Sequence, residues 1–336
     1  MRIAIHSTPG SFSDRWIAYC KKKDIDYKIV NCYATDIIRQ LKDCDALMWH
    51  HDQQEYKDVL FAKQLIYSLE QCGKKTFPNY KTCWHFDDKV GQKYLFESIG
   101  APLVPSYVFY TKKEAMQWID KTTFPKVFKL RGGAASQNVE LAHSSAQARK
   151  LVKKAFGNGF PPFNRLFYFK ECVRKYKEGK SSVLGVFKGF GRLFIPTEFA
   201  KMRSNDVGYI YFQDFIPNNK FDIRVIVIAG KAFAAKRMVR KNDFRASGSG
   251  NLIYEKEHIP IDSVKLAFQL VDKLQSQCAA FDFIYDSAHQ PLVVEVSYGF
   301  PTKTADPCIG YWDKTLQYHA ESFTPQEWMV EALINE

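Results

Sequence analysis

Two carboxylates late in the sequence have the spacing of a metal-binding pair. Asp282 is flanked by Phe281 and Phe283, and Glu295 follows thirteen residues later in a second apolar segment. A charge that points inward from an apolar strand needs a partner. If the two segments are adjacent strands joined by a short turn, the carboxylates face each other and can hold Mg²⁺ together with substrate phosphates.

A lysine beside a glycine-rich loop is a candidate phosphate ligand. Lys129 lies at the end of a predicted strand, residues 124–130, and Gly132 and Gly133 follow it. The ammonium group of such a lysine can reach phosphate oxygens while backbone N–H groups of the loop cover them. Taken alone, Lys129 could also be a solvated strand end.

Four cations could stabilise the charge that develops on a transferred phosphoryl group. They are Arg224, Lys236, Arg237 and Arg245. Arg224 alternates with apolar residues. It could therefore also lie on an edge strand and simply point to solvent.

The elements that must position these residues alternate between strand and helix. Strands are predicted at residues 2–6, 26–30, 46–50 and 75–77, with helices between them. This alternation predicts a parallel sheet with crossover helices and an α/β fold class. Later strands are predicted at 209–216, 222–229, 231–237, 279–285 and 291–296.

Residues 160–195 differ from the rest, because Phe and Tyr are interleaved with Lys and Arg. We interpret this segment as an insertion that contains a basic helix. The helix could be solvated with an aromatic inner face, or it could be an interfacial element that brings the protein to a membrane-linked or polyanionic substrate. Stacking on single-stranded nucleic acid is the third alternative.

Composition limits the classes of protein and partner. A chain of 336 residues predicts about two domains. Its 48 Lys and Arg against 36 Asp and Glu give a formal charge of +12, which favours an anionic partner. Nucleic acid is the least favoured, because the basic residues are scattered and no nucleic-acid motif occurs. Eight cysteines without a Cys-x-x-Cys pair favour reduced thiols in a cytoplasmic protein, and no apolar run is long enough to span a bilayer.

Taken in order, these segments resemble the ATP-grasp superfamily, and within it the carboxylate–amine ligases. The resemblance extends from residue 1 to about residue 301 and is carried by residues 124–129, 222–225 and 244–247 and by the Asp282/Glu295 pair. It implies an N-terminal parallel-sheet domain, similar to a pre-ATP-grasp domain, at 1–85. A two-subdomain ATP-grasp fold would follow at 86–210 and 211–336, with ATP between the subdomains.

The resemblance also implies a role for each candidate residue. The ATP phosphates would be bound by Lys89, Lys129, Gly132, Gly133 and Ser136. Adenine would be contacted by Gln213, Asp214, Phe215 and Ile216, and the ribose by Asp222. Mg²⁺ would be held by Asp282, Glu295 and Ser297, the last of which stands where the family usually has Asn. The reacting carboxylate or acyl phosphate would lie beside Lys236, Arg237, Arg245 and the loop 247–250.

The reaction that the resemblance implies is amide formation. A carboxylate would attack the γ-phosphate of ATP to give an acyl phosphate, and an amine would then displace phosphate. The carboxylate could belong to an amino acid, a peptide or the uronic acid of a surface polysaccharide. A kinase that phosphorylates a hydroxyl and a non-catalytic polyanion- or nucleic-acid-binding protein are the alternatives. His50 and His51 lie at a strand end, where ligands gather in α/β sheets, and could contact the second substrate or be polar caps.

These features predict a cytoplasmic protein. Contact with the inner face of a membrane through residues 160–195 would make it a peripheral one.

Overall fold

The computed structural model describes residues 1–133, 138–179, 181–195, 197–240, 243–246 and 248–335. The chain divides into two compact units. Unit 1 comprises residues 1–86, 94–103 and 218–336, and unit 2 comprises residues 87–93 and 104–217.

The strands, in chain order, are β1 (Ile3–His6), β2 (Tyr27–Val30), β3 (Ala46–Met48), β4 (Lys75–Phe77), β5 (Ser106–Phe109), β6 (Lys126–Lys129), β7 (Glu140–Ala142), β8 (Ile210–Asp214), β9 (Phe221–Ile228), β10 (Lys231–Met238), β11 (Leu252–Ile253), β12 (Cys278–Tyr285), β13 (Pro291–Ser297), β14 (Tyr311–Asp313) and β15 (Tyr318–His319).

The α-helices are α1 (Phe12–Lys22), α2 (Ile37–Gln40), α3 (Tyr56–Gln71), α4 (Tyr80–Cys83), α5 (Lys89–Ser98), α6 (Lys112–Ile119), α7 (Ser145–Ala155), α8 (Arg165–Lys177), α9 (Val183–Phe194), α10 (Glu198–Met202), α11 (Ile261–Leu274) and α12 (Pro325–Asn335), and a 3₁₀-helix covers Lys256–His258.

The first strands of unit 1 form a parallel sheet in the order β2-β1-β3-β4, which confirms the prediction from strand–helix alternation. Side chains on a strand alternate between the two faces of the sheet. Ile3 and Ile5 therefore pack in one core with Trp16 of α1, while Ala4 packs in another with Leu65 of α3.

Unit 1 also contains a largely antiparallel sheet in the order β13-β12-β9-β10-β14-β15, with β11 paired to β10. One of its faces packs Val225 and Phe281 against α11. On the other face, Ile226 and Phe233 share a core with Ile3. Residues 1–86 and 218–336 therefore share a common apolar core.

Unit 2 is built on an antiparallel sheet in the order β5-β8-β6-β7. Phe128 and Phe212 point toward α6 and α7 and form the core of the unit with Val152. Residues 160–195 contain two helices where the sequence predicted one. Gly179 has a φ of 70° just after α8 ends, which favours glycine and turns the chain toward α9.

In the parts of the chain that the structure describes, no helix combines the length and the apolar character needed to cross a bilayer. All eight cysteines are free thiols.

Candidate functional site

Asp282 of β12 lies directly opposite Glu295 of β13. The pairing shifts immediately afterwards, because Phe283 is opposite Val293 and Val294 is an extra residue in β13. This bulge lets Val293 face the α11 core while Glu295 remains the partner of Asp282. Bulges commonly re-aim side chains in this way.

A partly buried chain of ion pairs runs across the same sheet from Asp222 to Arg224, and its two central members, Arg237 and Asp282, are buried. The Arg237 guanidinium donates to both oxygens of Asp222, at 2.6 and 2.7 Å, and lies 2.7 Å from Oδ2 of Asp282. Arg224 donates to both oxygens of Asp282, at 2.7 and 2.8 Å. The strand register creates this chain, because Asp222 is opposite Arg237 and Arg224 is opposite Asp282.

These contacts keep Asp282 ionised. Burial alone would raise the pKa of Asp282, but the charges of Arg224 and Arg237 outweigh it and hold that pKa well below its usual range. Oδ2 of Asp282 receives two guanidinium contacts and Oδ1 receives one. A carboxylate oxygen has two lone pairs, so Oδ1 retains a position for a cation.

Among the described residues, no three His, Cys, Asp or Glu side chains come together as a metal site. Two carboxylates can still be the protein's share of a Mg²⁺ site, since this ion keeps waters and binds substrate phosphates. The hydroxyl of Ser297, the predicted third ligand, forms hydrogen bonds with the backbone of Gly299. It donates to the Gly299 carbonyl at 2.7 Å and accepts from the Gly299 N–H at 3.1 Å.

Lys236 is not brought to this cluster. It is the neighbour of Arg237 on β10, so its side chain points to the opposite face of the sheet. There its ammonium group lies 4.1 Å from the ring centroid of Phe221.

Arg245 lies in the loop after β10 and pairs with Asp243. Its Nη2 is 2.6 Å from Oδ2 of Asp243, and its backbone N–H donates to the same carboxylate at 3.1 Å. Burial would raise the pKa of Asp243, but the bonds from Arg245 outweigh it and lower that pKa. Gly248 lies against the Arg240 guanidinium, whereas Ser247 lies outside the described residues.

In unit 2, Lys129 is buried and donates to the Gln213 side-chain carbonyl at 2.6 Å. Gln213 in turn donates to the Ser106 hydroxyl at 3.0 Å. Lys126, three residues before Lys129, points to the other face and pairs with Asp214 at 2.5 Å. Ser106 could not be predicted as a member of this network, because a serine in a strand has no distinctive sequence pattern.

Lys89 begins α5 and is also buried. Its ammonium group donates to the Gly133 carbonyl at 2.9 Å. Gly132 lies against Asp87, with no space for a Cβ, and the Gly133 N–H donates to Oδ1 of Asp87 at 2.7 Å. The Gly133 N–H is therefore engaged by the carboxylate of Asp87, a residue for which no role was predicted.

The structure describes some, but not all, of the other residues that are predicted to contact the nucleotide. Phe215 and Ile216 follow β8 and are half-buried, and their contact with adenine stays a prediction. Ser136 lies outside the described residues.

The strand order and the match of one segment to a known family identify the fold. Residues 200–310, which contain Asp222, Arg237, Asp282 and Glu295, match the model of the RimK-like ATP-grasp domain. The chain has an ATP-grasp fold. No curated protein matches it in sequence.

Solved ATP-grasp structures resemble the whole chain. The D-alanine–D-alanine ligase from Bacillus anthracis complexed with ATP has a TM-score of 0.59 and 14% identity, covering 100% of this chain and 97% of that one. The N5-carboxyaminoimidazole synthetase from Staphylococcus aureus has a TM-score of 0.59 and 12% identity, covering 100% and 77%. A RimK domain ATP-grasp protein from Sphaerobacter thermophilus has a TM-score of 0.54 and 14% identity, covering 88% and 90%. At such identities the likeness concerns the fold.

Two histidines follow β3 of this ATP-grasp chain and differ in setting. His50 stacks on Phe12 with ring centroids 3.7 Å apart, and its Nδ1 accepts from the Phe12 N–H at 3.1 Å. Its Nε2 lies on the side of Gly299, just past β13. His51 is buried against Tyr298 and Phe86. Burial lowers the pKa of His50 to about 4 and that of His51 well below its usual value.

Proposed function

We propose that this chain is an ATP- and Mg²⁺-dependent ligase that joins a carboxylate to an amine. A substrate carboxylate oxygen attacks the γ-phosphorus of ATP, the bond to the β-phosphate oxygen breaks, and an acyl phosphate and ADP form. The amine then attacks the acyl carbon and phosphate leaves, which forms the amide. The amine nitrogen loses a proton in this second step.

The observation that carries this proposal is the ion-pair chain from Asp222 to Arg224, next to Glu295. Burying a charge costs roughly several kcal/mol per ion even after relaxation. Apolar residues on this face of the sheet would avoid that cost, so the charges indicate a role other than stability. A preorganised arrangement of Arg224, Arg237 and Asp282 suits a reaction that spreads negative charge over phosphoryl oxygens. Arg224 and Arg237 are held at fixed positions, so they need no reorganisation when that charge develops.

Unit 2 would supply the nucleotide contacts. Lys89 and Lys129 place two buried ammonium groups in unit 2, and an ammonium group is a suitable partner for the phosphate oxygens of a triphosphate. Lys129 is oriented by Gln213, and Lys89 by the Gly133 carbonyl. For the Gly133 N–H to reach a phosphate, it would have to leave Asp87.

Asp282 and Glu295 would hold Mg²⁺, which supplies charge neutralisation on phosphate oxygens when bound. The free lone pair on Oδ1 of Asp282 and the opposing position of Glu295 support this assignment. Ser297 contributes less, because its hydroxyl already bonds to Gly299.

His50 would contact the second substrate. Its Nδ1 accepts a hydrogen bond, so in the neutral ring the hydrogen is on Nε2. A neutral donor on the Gly299 side suits a carboxylate or hydroxyl oxygen. The formal charge of +12 favours an acidic carboxylate donor, such as an acidic amino acid, a peptide or a uronic acid.

Calorimetry of ATP binding with and without Mg²⁺ tests the nucleotide and metal assignment. We expect Mg²⁺-dependent binding to the wild type, a loss of that dependence in Glu295→Gln, and no change in Glu140→Gln, which alters an exposed carboxylate on β7. Binding of ATP that is indifferent to both Mg²⁺ and Glu295 would contradict it.

A panel of carboxylates and amines then tests the reaction through ADP release. Hydroxylamine should trap the acyl phosphate as a hydroxamate when a carboxylate is present without an amine. Formation of a phosphate ester from a hydroxyl compound would instead establish a kinase.

A further inference from the structure

Helix α9 exposes a continuous apolar face. Leu184, Phe187 and Phe194 are 77%, 67% and 69% exposed, and Val183, Phe190 and Ile195 are exposed as well. Single exposed apolar residues are ordinary on protein surfaces. Six within thirteen consecutive residues form a patch, and such patches mark interaction sites.

The packing of α9 on α8 fixes which face points outward. Gly189 lies so close to α8 that a Cβ there would be 2.9 Å from Cys172. Residues near Gly189 on the helical wheel, such as Val186 and Leu193, therefore turn inward. At 100° per residue, Leu184, Phe187 and Phe194 fall on the other side of the helix, which agrees with their exposure.

Basic residues border this apolar face. Lys188 and Arg192 lie at its edge on α9, and α9 contains no Asp or Glu. Between residues 165 and 195 the sequence has eight Lys and Arg and two Glu, a net charge of +6 out of +12 for the whole chain. Both glutamates, Glu171 and Glu178, pair with Arg174, which leaves the exposed Lys170, Lys175 and Lys177 of α8 to contribute positive charge.

We propose that the α8–α9 hairpin docks on an anionic lipid bilayer, with the apolar face of α9 at the boundary between headgroups and acyl chains. A short amphipathic helix with large apolar residues on one side and cations at the border is suited to lie in that plane. Each Lys or Arg near an anionic surface adds to the electrostatic attraction toward that surface. This proposal does not depend on the ligase reaction.

The charge and the side-chain types favour a bilayer over other occupants. A second copy of this chain would bring two +6 surfaces together, and that repulsion opposes self-association through α9. Single-stranded nucleic acid binds by stacking on aromatic rings, but Val183, Leu184 and Ile195 offer no ring. Anionic lipid satisfies both the cations and the aliphatic residues.

Sedimentation with vesicles tests the proposal on the full chain. We expect the wild type to sediment with phosphatidylcholine vesicles that contain phosphatidylglycerol, and much less with phosphatidylcholine alone. The variants Leu184→Ser/Phe187→Ser and Lys188→Glu/Arg192→Glu should each reduce the bound fraction at least about tenfold, since either the apolar or the electrostatic term is lost.

Matched controls separate this surface from general properties of the chain. Leu60→Ser changes an apolar residue of α3 that is 71% exposed, and Lys113→Glu/Lys121→Glu reverses two exposed charges around α6. Both controls should bind vesicles as the wild type does. All variants should keep the wild-type unfolding midpoint and ATP affinity.

Several results would overturn the proposal. These are no sedimentation of the wild type, equal binding to both kinds of vesicle, or unchanged binding of the two α9 variants. A concentration-dependent dimer that Leu184→Ser/Phe187→Ser abolishes would reassign the face to a second copy. Salt-sensitive binding of single-stranded RNA that requires Phe187, without vesicle binding, would reassign it to nucleic acid.

Discussion

Arg237 of β10 binds both Asp222 of β9 and Asp282 of β12. Its neighbour on β10, Lys236, points to the opposite face of the sheet. The Arg237 guanidinium reaches both carboxylates at 2.6 to 2.7 Å and is itself buried. One side chain thus fixes the position of a predicted ribose ligand and of a predicted metal ligand.

Replacing Arg237 should therefore destabilise the fold strongly. Arg237→Met leaves the largely buried Asp222 without its cation and removes one of the two cations of Asp282, and we expect a loss of about 3 to 5 kcal/mol in the free energy of unfolding. Lys236→Met is the matched control on the same strand, and its loss should stay below about 1 kcal/mol. Urea unfolding measures both.

The double variant Asp222→Leu/Arg237→Met sharpens this test. Because it removes the uncompensated charge, much of the lost stability should return. If the double variant is as unstable as Arg237→Met, the cost comes from lost packing and not from the unpaired carboxylate.

The strands of the site could be predicted from the sequence, but the way in which their residues pair could not. Asp282 and Glu295 could be recognised because a charge inside an apolar strand is unusual. Regular alternation, however, would put Val293 and Glu295 on one face. The bulge at Val294 separates them, and a bulge depends on pairing with another strand, which local sequence does not encode.

Lys236 and Arg237 were predicted to lie in one cluster, and the structure separates them because neighbours on a strand face opposite sides of the sheet. The hydrogen bond from the Gly133 N–H to Asp87 could not be predicted from alternation along a strand. It joins residues 46 positions apart, so only the tertiary fold brings them together.

Two lysines of β6 offer a comparison within one strand. Lys129→Met should reduce ATP affinity roughly 10- to 100-fold, because a hydrogen bond to a charged group contributes about 1.5 to 3 kcal/mol. Lys126→Met removes the partner of Asp214 on the opposite face and should lower stability with little change in ATP affinity. Calorimetry and thermal unfolding distinguish the two effects, and equal loss of ATP affinity in both would argue against a specific role for Lys129.

The adjacent histidines should also behave differently. We expect His50→Ala to raise the KM of one non-nucleotide substrate about tenfold, roughly one lost hydrogen bond, while the KM for ATP stays unchanged. His51→Leu should leave both constants alone, because His51 is a buried ring whose Nε2 has no hydrogen-bond partner among the described residues. Steady-state kinetics with each substrate varied in turn checks this, and a change confined to the ATP constant would move His50 out of the second-substrate site.

Asp58, at the start of α3, should make stability depend on pH. Burial raises the pKa of Asp58 from 3.8 to about 6, even though Tyr33 and the Asp52 N–H donate to its two oxygens at 2.7 Å. The folded state therefore binds this proton more tightly than the unfolded state. Its stabilising contribution is complete below about pH 4 and is lost as the pH rises to about 6.

The difference between the ordinary pKa of 3.8 and the raised pKa of about 6 for Asp58 corresponds to about 3 kcal/mol of stability. The difference in free energy of unfolding between wild type and Asp58→Asn should fall by about this amount between pH 4 and pH 7, and Asp24→Asn, at an exposed site, should show no such trend. Tyr33→Phe removes a donor that favours the charged carboxylate, so it should move the midpoint above 6. A difference that stays flat across this range would mean that Asp58 is as well solvated in the folded chain as in the unfolded one.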